Sequence, residues 1–331
     1  MKYKKIAVIF PGQGSQYVGM GREMYEKFKL VRDVYDQASS VLEYDIAEKC
    51  FKKPMIGASF VHRTDLDRTI YTQPAVMVTG YACFRIFEEM CSEVGVKLNI
   101  NFLAGHSLGE YTALCVAGAL EFNTCLDLVK KRATFITELG ESLPHAGLMA
   151  IVDKEKELDY SAIDNMAKEA QVYVTLINTK NQIVVGGFKK NLEELSKTIK
   201  KDGKIATLLR VEGPFHSPLM RPAAERFKKE LIRSHVSIAT KPVIANVSKE
   251  AIVDPTHIRK ELYEQIYTCV DWRRSIEKMI ENGADLFIEV GPKKVLSNMI
   301  KDINPSIPRL NVEDLDSLEA TVKALGTQDE G

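Results

Sequence analysis

The sequence lacks several features that would assign it at once to a class of proteins. Its six cysteines include no C-x-x-C pair, which argues against a zinc site or a disulfide framework and favours buried free thiols of a cytoplasmic protein. No apolar run approaches the roughly 20 residues that span a bilayer. Basic and acidic residues number 45 each, so charge gives no argument for nucleic acid or an anionic membrane. We therefore expect no metal, nucleic-acid or membrane partner.

The remaining composition is that of an ordinary globular protein. The 331 residues are 45% hydrophobic and 27% charged, enough for one large domain with an insertion or for two domains. Internal repeats are absent. The basic start and the apolar run at residues 6–10 resemble a secretory signal, but the run is too short and leads into a turn. We interpret it as the first strand.

The strongest chemical signal is the G-x-S-x-G pattern formed by Gly105, Ser107 and Gly109. In a nucleophile elbow, a serine occupies a strained turn between a buried strand and a helix, and the flanking glycines let the turn close. Residues 102–104 are apolar enough to end a strand, and residues 108–120 have helical spacing without proline. A chance match in a surface loop is the alternative. The flanking pattern favours the elbow, with Ser107 as a nucleophile.

A second glycine-rich turn follows the first strand. Gly12 and Gly14 flank Gln13 and allow the backbone to approach a ligand closely. Neither G-x-G-x-x-G nor the Walker pattern with its lysine is present, so a phosphate loop is not favoured. We prefer the backbone N–H of Gln13 as a donor to an oxyanion; a plain tight turn is the alternative.

A serine nucleophile needs a base, and six histidines are available. His216 stands out because it follows a strand end and is flanked by Gly213, Pro214 and Pro218, which fix the loop. His106 belongs to the elbow itself. The other four lie in polar loops or at a charged helix end: His62, His145, His235 and His257. Triad members meet in space and not in sequence, so the partner that orients His216 stays open here.

The spacing of apolar residues also predicts the organisation of the chain. Helices are expected at residues 20–28, 31–50, 73–94 and 123–139, with Thr72 capping the third helix and Pro74 in its first turn. Arg132 lies on the fourth helix among apolar neighbours; taken alone, it is more often a surface cation. Residues 286–290 are expected to form the last strand of the sheet.

Composition changes at residues 140–147, and a βαββαβ order follows over about 65 residues. That order is typical of a ferredoxin-like subdomain. We therefore predict a large subdomain from residues 1–142 and 209–331, and a small inserted subdomain from residues 143–208.

Taken together, these motifs resemble the malonyl-CoA:acyl carrier protein transacylases of fatty-acid or discrete polyketide synthesis. The resemblance runs along essentially the whole chain. The matching segments are residues 11–16 (PGQGSQ), 72–75 (TQPA), 104–110 (AGHSLGE), 131–132, 213–217 (GPFHS), 219–220, 222–224, 246–247 and 289–292 (EVGP). It implies an α/β-hydrolase-like core with a parallel sheet and a ferredoxin-like insert.

The resemblance also implies roles for individual residues. Ser107 would carry the acyl group, His216 would be its base, and the backbone carbonyl of Gln265 would orient His216. The backbone N–H groups of Gln13 and Leu108 would hold the oxyanion, and Arg132 would bind the malonyl carboxylate. Phe215 would favour malonyl over methylmalonyl groups. The remaining substrate contacts implied in this way are His106, Asn178 and Gln73.

The implied activity is ping-pong transfer of malonyl from malonyl-CoA to the phosphopantetheine thiol of an acyl carrier protein, without a bound cofactor. Two departures from the family pattern bear on it. Leu176 replaces the first of two family asparagines, and residues 56–67 and the acidic tail differ from a minimal member. The alternatives are a hydrolase that clears acyl chains from carrier proteins and a carrier-binding scaffold without catalysis. The pathway of the carrier is left open.

Overall fold

The computed structural model describes residues 3–53 and 64–326. The strands within these residues are β1 (Ile6–Phe10), β2 (Ile100–Gly105), β3 (Ala146–Val152), β4 (Tyr173–Thr179), β5 (Gln182–Phe188), β6 (Ile205–Leu208), β7 (Val243–Ile244), β8 (Ala251–Ile252), β9 (Val270–Asp271), β10 (Leu286–Val290) and β11 (Arg309–Val312). The helices are α1 (Arg22–Lys27), α2 (Lys29–Leu42), α3 (Ile46–Phe51), α4 (Thr69–Glu93), α5 (Gly109–Val116), α6 (Phe122–Ser142), α7 (Tyr160–Glu169), α8 (Lys189–Lys201), α9 (Arg221–Arg233), α10 (Pro255–Glu264), α11 (Trp272–Glu281), α12 (Val295–Ile303) and α13 (Leu315–Gly326).

The larger of two sheets has the strand order β11-β10-β1-β2-β7-β8 and is parallel except for the β7–β8 pair. All five residues of β1 are buried. Ile6, Val8 and Phe10 belong to the core on one face, whereas Ala7 and Ile9 belong to the core on the other. Helices therefore cover both faces, as a parallel sheet requires. This is the parallel α/β core that the sequence predicted.

The smaller sheet has the order β6-β3-β5-β4-β9. Its first four strands are antiparallel and, with α7 and α8, follow the βαββαβ order expected from the sequence. The fifth strand comes from outside that segment: β9 pairs in parallel with β4 through Leu176 and Val270. The division at residues 142/143 and 208/209 stays a proposal, and the small sheet accepts one strand from beyond it.

Helix α4 begins earlier than the sequence pattern indicated. Thr69 is its first residue, and Thr72 lies inside it with its hydroxyl donating to the carbonyl of Leu66. The backbone N–H of Thr69 donates to the carboxylate of Glu212 at 2.8 Å, so a residue distant in sequence satisfies this end of the helix. The expected cap at Thr72 is therefore wrong, and Pro74 lies within the helix.

The sequence also misplaced two other boundaries. The expected helix at residues 31–50 is two helices, because Glu43 adopts a left-handed backbone after α2 and the side chain of Asp45 caps α3. The strand at residues 286–290 is not the last one, since β11 pairs with it in parallel at the edge of the sheet. This edge strand has only four residues, of which only Val312 is fully buried, so its apolar pattern is weak.

Two further observations concern the termini and the 56–67 segment. Residues 56–63 of that segment, and residues 327–331 of the acidic tail, lie outside the described residues; Asp65–Asp67 form a 3₁₀ turn before α4. Within the described ranges, none of the helices combines the length and apolar character needed to cross a membrane.

Candidate active site

The elbow lies between β2 and α5, at the carboxyl edge of the large sheet. Ser107 has a φ of 51°, in the left-handed region that costs a residue with a Cβ about 1–2 kcal/mol. A Cβ at Gly105 would collide with the backbone of Gly109, and one at Gly109 would collide with the carbonyl of Phe10. Only glycine therefore fits at positions 105 and 109. The strand–turn–helix context expected from the sequence is present.

Asn246, which follows β7, holds this strained turn in place. Its side-chain oxygen accepts from the backbone N–H of Ser107 at 2.7 Å, and its side-chain nitrogen donates to the carbonyl of Gly105 at 2.7 Å. The side chain is fully buried. Sequence reasoning noted Asn246 only as a matching residue and missed its role as a clamp. Its position directly after a short buried strand was the available signal.

His216 lies within hydrogen-bonding distance of the serine. Its Nε2 is 2.8 Å from the Ser107 hydroxyl, and its Nδ1 is 2.6 Å from the backbone carbonyl of Gln265. A carbonyl can only accept, so Nδ1 carries the proton and Nε2 is free to accept from Ser107. Burial lowers the pKa of His216 to about 3, and the nearby charge of Arg132 contributes to the same effect. The imidazole is thus neutral at ordinary pH and suited to act as a base.

Arg132 lies in the same cavity and is almost fully buried. Its Nη2 donates to the Ser107 hydroxyl and to Gln265 Oε1, both at 3.1 Å, and its Nη1 donates to Gln73 Oε1 at 2.7 Å. None of these partners is a carboxylate, and among the described residues its Nε has no hydrogen-bond partner. A buried guanidinium without a counter-ion is a ready partner for an anionic group. The surface-cation alternative does not hold.

The loop after β1 lies against the elbow, as expected if it supplies an oxyanion donor. A Cβ at Gly12 would collide with the carbonyl of His106. Within the described residues, the backbone N–H groups of Gln13 and Leu108 make no hydrogen bond. The Gln13 side chain accepts from Gln73 at 3.2 Å and donates to Thr69 at 3.1 Å. The two N–H groups are therefore available to a ligand, and side-chain contacts hold the loop.

The small sheet contributes one polar contact to this site. His106 Nε2 lies 2.9 Å from Asn178 Oδ1, and the Asn178 amide donates to Gln182 at 2.9 Å. Leu176 packs with Phe215 against an apolar cluster on the small sheet. Leu176 thus forms part of an apolar surface near Phe215.

A cleft of about 820 Å³ includes His216 in its lining. Its walls come from α7, β4 and the loop before β9, and they include Tyr160, Tyr173, Tyr267 and Arg221. Arg221 stacks on Tyr267, with its guanidinium carbon 4.3 Å from the ring centre. Among the described residues, no cluster of three or more histidine, cysteine, aspartate or glutamate side chains is arranged to hold a metal ion.

A serine elbow beside a neutral histidine, on a parallel α/β core, defines the class of serine-dependent acyl-transfer enzymes. Comparisons with known proteins agree. The family model described as acyl transferase domain matches residues 7–319. The malonyl CoA-acyl carrier protein transacylase of Bacillus subtilis is 36% identical over 325 residues, which cover 97% of both chains. That of Haemophilus influenzae is 34% identical and covers 97% of this chain and 99% of its own.

Comparison with solved structures indicates similarity to the same transacylases. The malonyl CoA-acyl carrier protein transacylase of Coxiella burnetii has a TM-score of 0.89 and 31% identity, covering 98% of this chain and 99% of its own. A malonyl-transacylase solved with its type II polyketide acyl carrier protein has a TM-score of 0.87 and 31% identity, covering 97% and 100%. The chain belongs to the acyl transferase family, among the malonyl CoA-acyl carrier protein transacylases.

Proposed function

We propose that this protein transfers malonyl from malonyl-CoA to the phosphopantetheine thiol of an acyl carrier protein, through a malonyl ester on Ser107. The observation that carries this proposal is the buried Arg132, which has no carboxylate partner among the described residues and donates to the Ser107 hydroxyl. A cation placed there selects acyl groups that carry a carboxylate. A hydrolase of neutral acyl chains would have no use for it.

In the first half-reaction, the Ser107 hydroxyl attacks the thioester carbonyl while His216 Nε2 takes its proton. The backbone N–H groups of Gln13 and Leu108 stabilise the resulting oxyanion. The C–S bond then breaks, and His216 returns the proton to the leaving CoA sulfur. In the second half-reaction, the carrier thiol attacks the malonyl ester and the same steps run in reverse. One thioester replaces another, so the reaction as proposed needs no further cofactor.

The other contacts follow from the same arrangement. The backbone carbonyl of Gln265 orients His216, and Gln73 orients Arg132. Phe215 limits the substituent on the α-carbon, while His106 and Asn178 border the acyl group from the small-sheet side. We further propose that the protein works in the cytoplasm, where malonyl-CoA and carrier proteins are available.

The test is transfer from malonyl-CoA to holo carrier proteins of the fatty-acid and the polyketide type, with products identified by mass spectrometry. We expect malonyl-carrier as the main product and little free malonate. A carrier without phosphopantetheine is the control and should receive nothing. Free malonate as the main product would support the hydrolase alternative, and no turnover with any acyl-CoA would support the scaffold alternative.

A further inference from the structure

A buried carboxyl group that the proposed reaction does not use lies next to the elbow. Glu110 is the second residue of α5, three positions after Ser107, and its side chain is fully buried. Its Oε2 accepts from Gln265 Nε2 at 2.6 Å. Its Oε1 is buried and has no partner among the described residues. A fully buried carboxyl is costly to maintain, which points to a role for Glu110 at this position.

The Gln265 amide lies between Glu110 and the catalytic groups. Its Nε2 donates both to Glu110 and to the Ser107 carbonyl, the latter at 3.0 Å, and its Oε1 accepts from Arg132. If the amide were flipped, its NH₂ group would face a guanidinium that has only donors. Glu110 supplies an acceptor on the opposite side. Together with the Ser107 carbonyl, it therefore fixes the orientation in which Gln265 offers its oxygen to Arg132.

The electrostatic surroundings of Glu110 come from two neighbouring helices. Glu261, on α10, and Arg132, on α6, are the ionisable groups that act on it. Burial raises the pKa of Glu110 well above its usual range, and the charge of Glu261 raises it further. No ion pair joins Glu110 and Arg132 among the described residues, because Gln265 separates them.

We propose that Glu110 is a positioning residue: through the Gln265 amide it holds the Arg132 guanidinium beside Ser107 and thereby sets the preference for carboxylated acyl groups. This inference rests on the proposed function and deepens it. Because the effect passes through Arg132, it concerns malonyl groups more than acetyl groups.

The test compares acylation of Ser107 by malonyl-CoA and acetyl-CoA in Glu110→Ala and Glu110→Gln. Glu110→Ala removes the acceptor, so the malonyl-to-acetyl ratio of kcat/KM should fall by about tenfold, the value of one buried hydrogen bond. The amide oxygen of Glu110→Gln can still accept from Gln265 and should restore the ratio to within about threefold. Glu289→Gln is a matched control: Glu289 is equally buried and caps α12. It should lower thermal stability and leave the ratio unchanged.

Equal losses for both acyl groups in Glu110→Ala would show a merely structural role and overturn the inference. So would a ratio in Glu110→Gln as low as in Glu110→Ala. If Glu110→Ala does not fold, Gln265→Ala decides: it removes the amide that joins Glu110 to Arg132, so the malonyl-to-acetyl ratio should fall by a similar factor, and an unchanged ratio would overturn the inference. A wild type that forms no malonyl-Ser107 would instead refute the proposed function itself.

Discussion

The large, mainly parallel sheet and the small, mainly antiparallel sheet bring different chemistry to the site around Ser107. The segments around the large sheet supply Ser107, His216, Arg132 and Gln265, all joined by hydrogen bonds of 2.6–3.1 Å. The small sheet supplies one amide, Asn178, and an apolar surface that includes Leu176. The hydrogen-bonded groups of the site thus come from the large-sheet side, whereas the small sheet contributes mainly an apolar surface.

The difference in burial explains this division. Strand β2, which leads to Ser107, is buried over its last three residues, and its neighbour β1 is buried along its whole length, so the elbow begins from a fixed position. The small sheet has a partly open surface, with Tyr173 and Leu208 each 40% or more exposed. Catalysis depends on groups preorganised to within a fraction of an ångström. We therefore expect substitutions beside the large sheet to cost far more activity than substitutions on the small sheet.

The largest effect is expected from His216→Ala. Without the base, Ser107 cannot be deprotonated during attack, and acylation should slow by about 10³-fold for malonyl-CoA and acetyl-CoA alike. Rapid-quench measurement of CoA release gives the rate. His145→Ala, at an exposed histidine before β3, is the control and should be unaffected. A His216→Ala enzyme within tenfold of wild type would remove the main support for the division between the sheets.

The next effect is expected from Arg132→Ala. Loss of a buried, charge-assisted contact costs about 2–3 kcal/mol, so kcat/KM for malonyl-CoA should fall about 10²-fold. Acetyl-CoA, which has no carboxylate, should lose less than tenfold. Lys131→Ala is the matched control, because Lys131 is the neighbouring cation and pairs with Asp127 and Glu230 at the surface. Parallel losses for the two acyl groups would contradict the carboxylate-binding role of Arg132.

A smaller effect is expected in the pH dependence of kcat/KM, which differs between a buried histidine such as His216 and an exposed one. Because burial lowers the pKa of His216 to about 3, the free enzyme should keep its base neutral and its kcat/KM level from about pH 8 down to about pH 5. A decline with a midpoint near pH 6.5 would contradict this environment.

The lowered pKa of His216 also determines how the stability of the protein depends on pH. The unfolded state binds the proton first, so the contribution of His216 to the unfolding free energy is lost as the pH falls from about 6.5 towards 3.

The smallest effect is expected from Asn178→Ala on the small sheet. It removes one neutral hydrogen bond to His106, worth about 1 kcal/mol, and should raise KM for malonyl-CoA by about fivefold with little change in kcat. Asn181→Ala, in the adjoining β4–β5 turn, is the control. A loss in kcat as large as that of Arg132→Ala would place the small sheet among the catalytic elements and end the contrast.

The sequence predicted a feature well where the residues that determine it lie close together in the chain. The elbow was predicted because its glycines, strand end and helix lie within about twenty residues, and the structure has that context around Ser107. The α/β class and the βαββαβ segment follow from periodicity and are also confirmed. The pairing of His216 with Ser107 came from the resemblance and from elimination. The catalytic roles remain predictions.

What the sequence did not reveal arises from contacts across long stretches of chain. Asn246 clamps an elbow 139 residues away, and the Gln265 side chain reaches Glu110 over 155 residues. Helix α4 begins at Thr69 because Glu212, 143 residues further along, accepts its first N–H group. The spacing of residues within a short segment does not indicate contacts with residues so distant in the chain. Strand β11 was missed for a different reason, since an edge strand of four half-buried residues has little apolar signal.

The most direct measurement is single-turnover reaction with malonyl-CoA, followed by peptide mapping of the modified residue in wild type and in Ser107→Ala. We predict one malonyl group on the peptide containing Ser107 in the wild type and none on a Ser107→Ala protein of equal thermal stability. A malonyl group of equal occupancy on Ser107→Ala, or on any other residue of the wild type, would contradict the assignment.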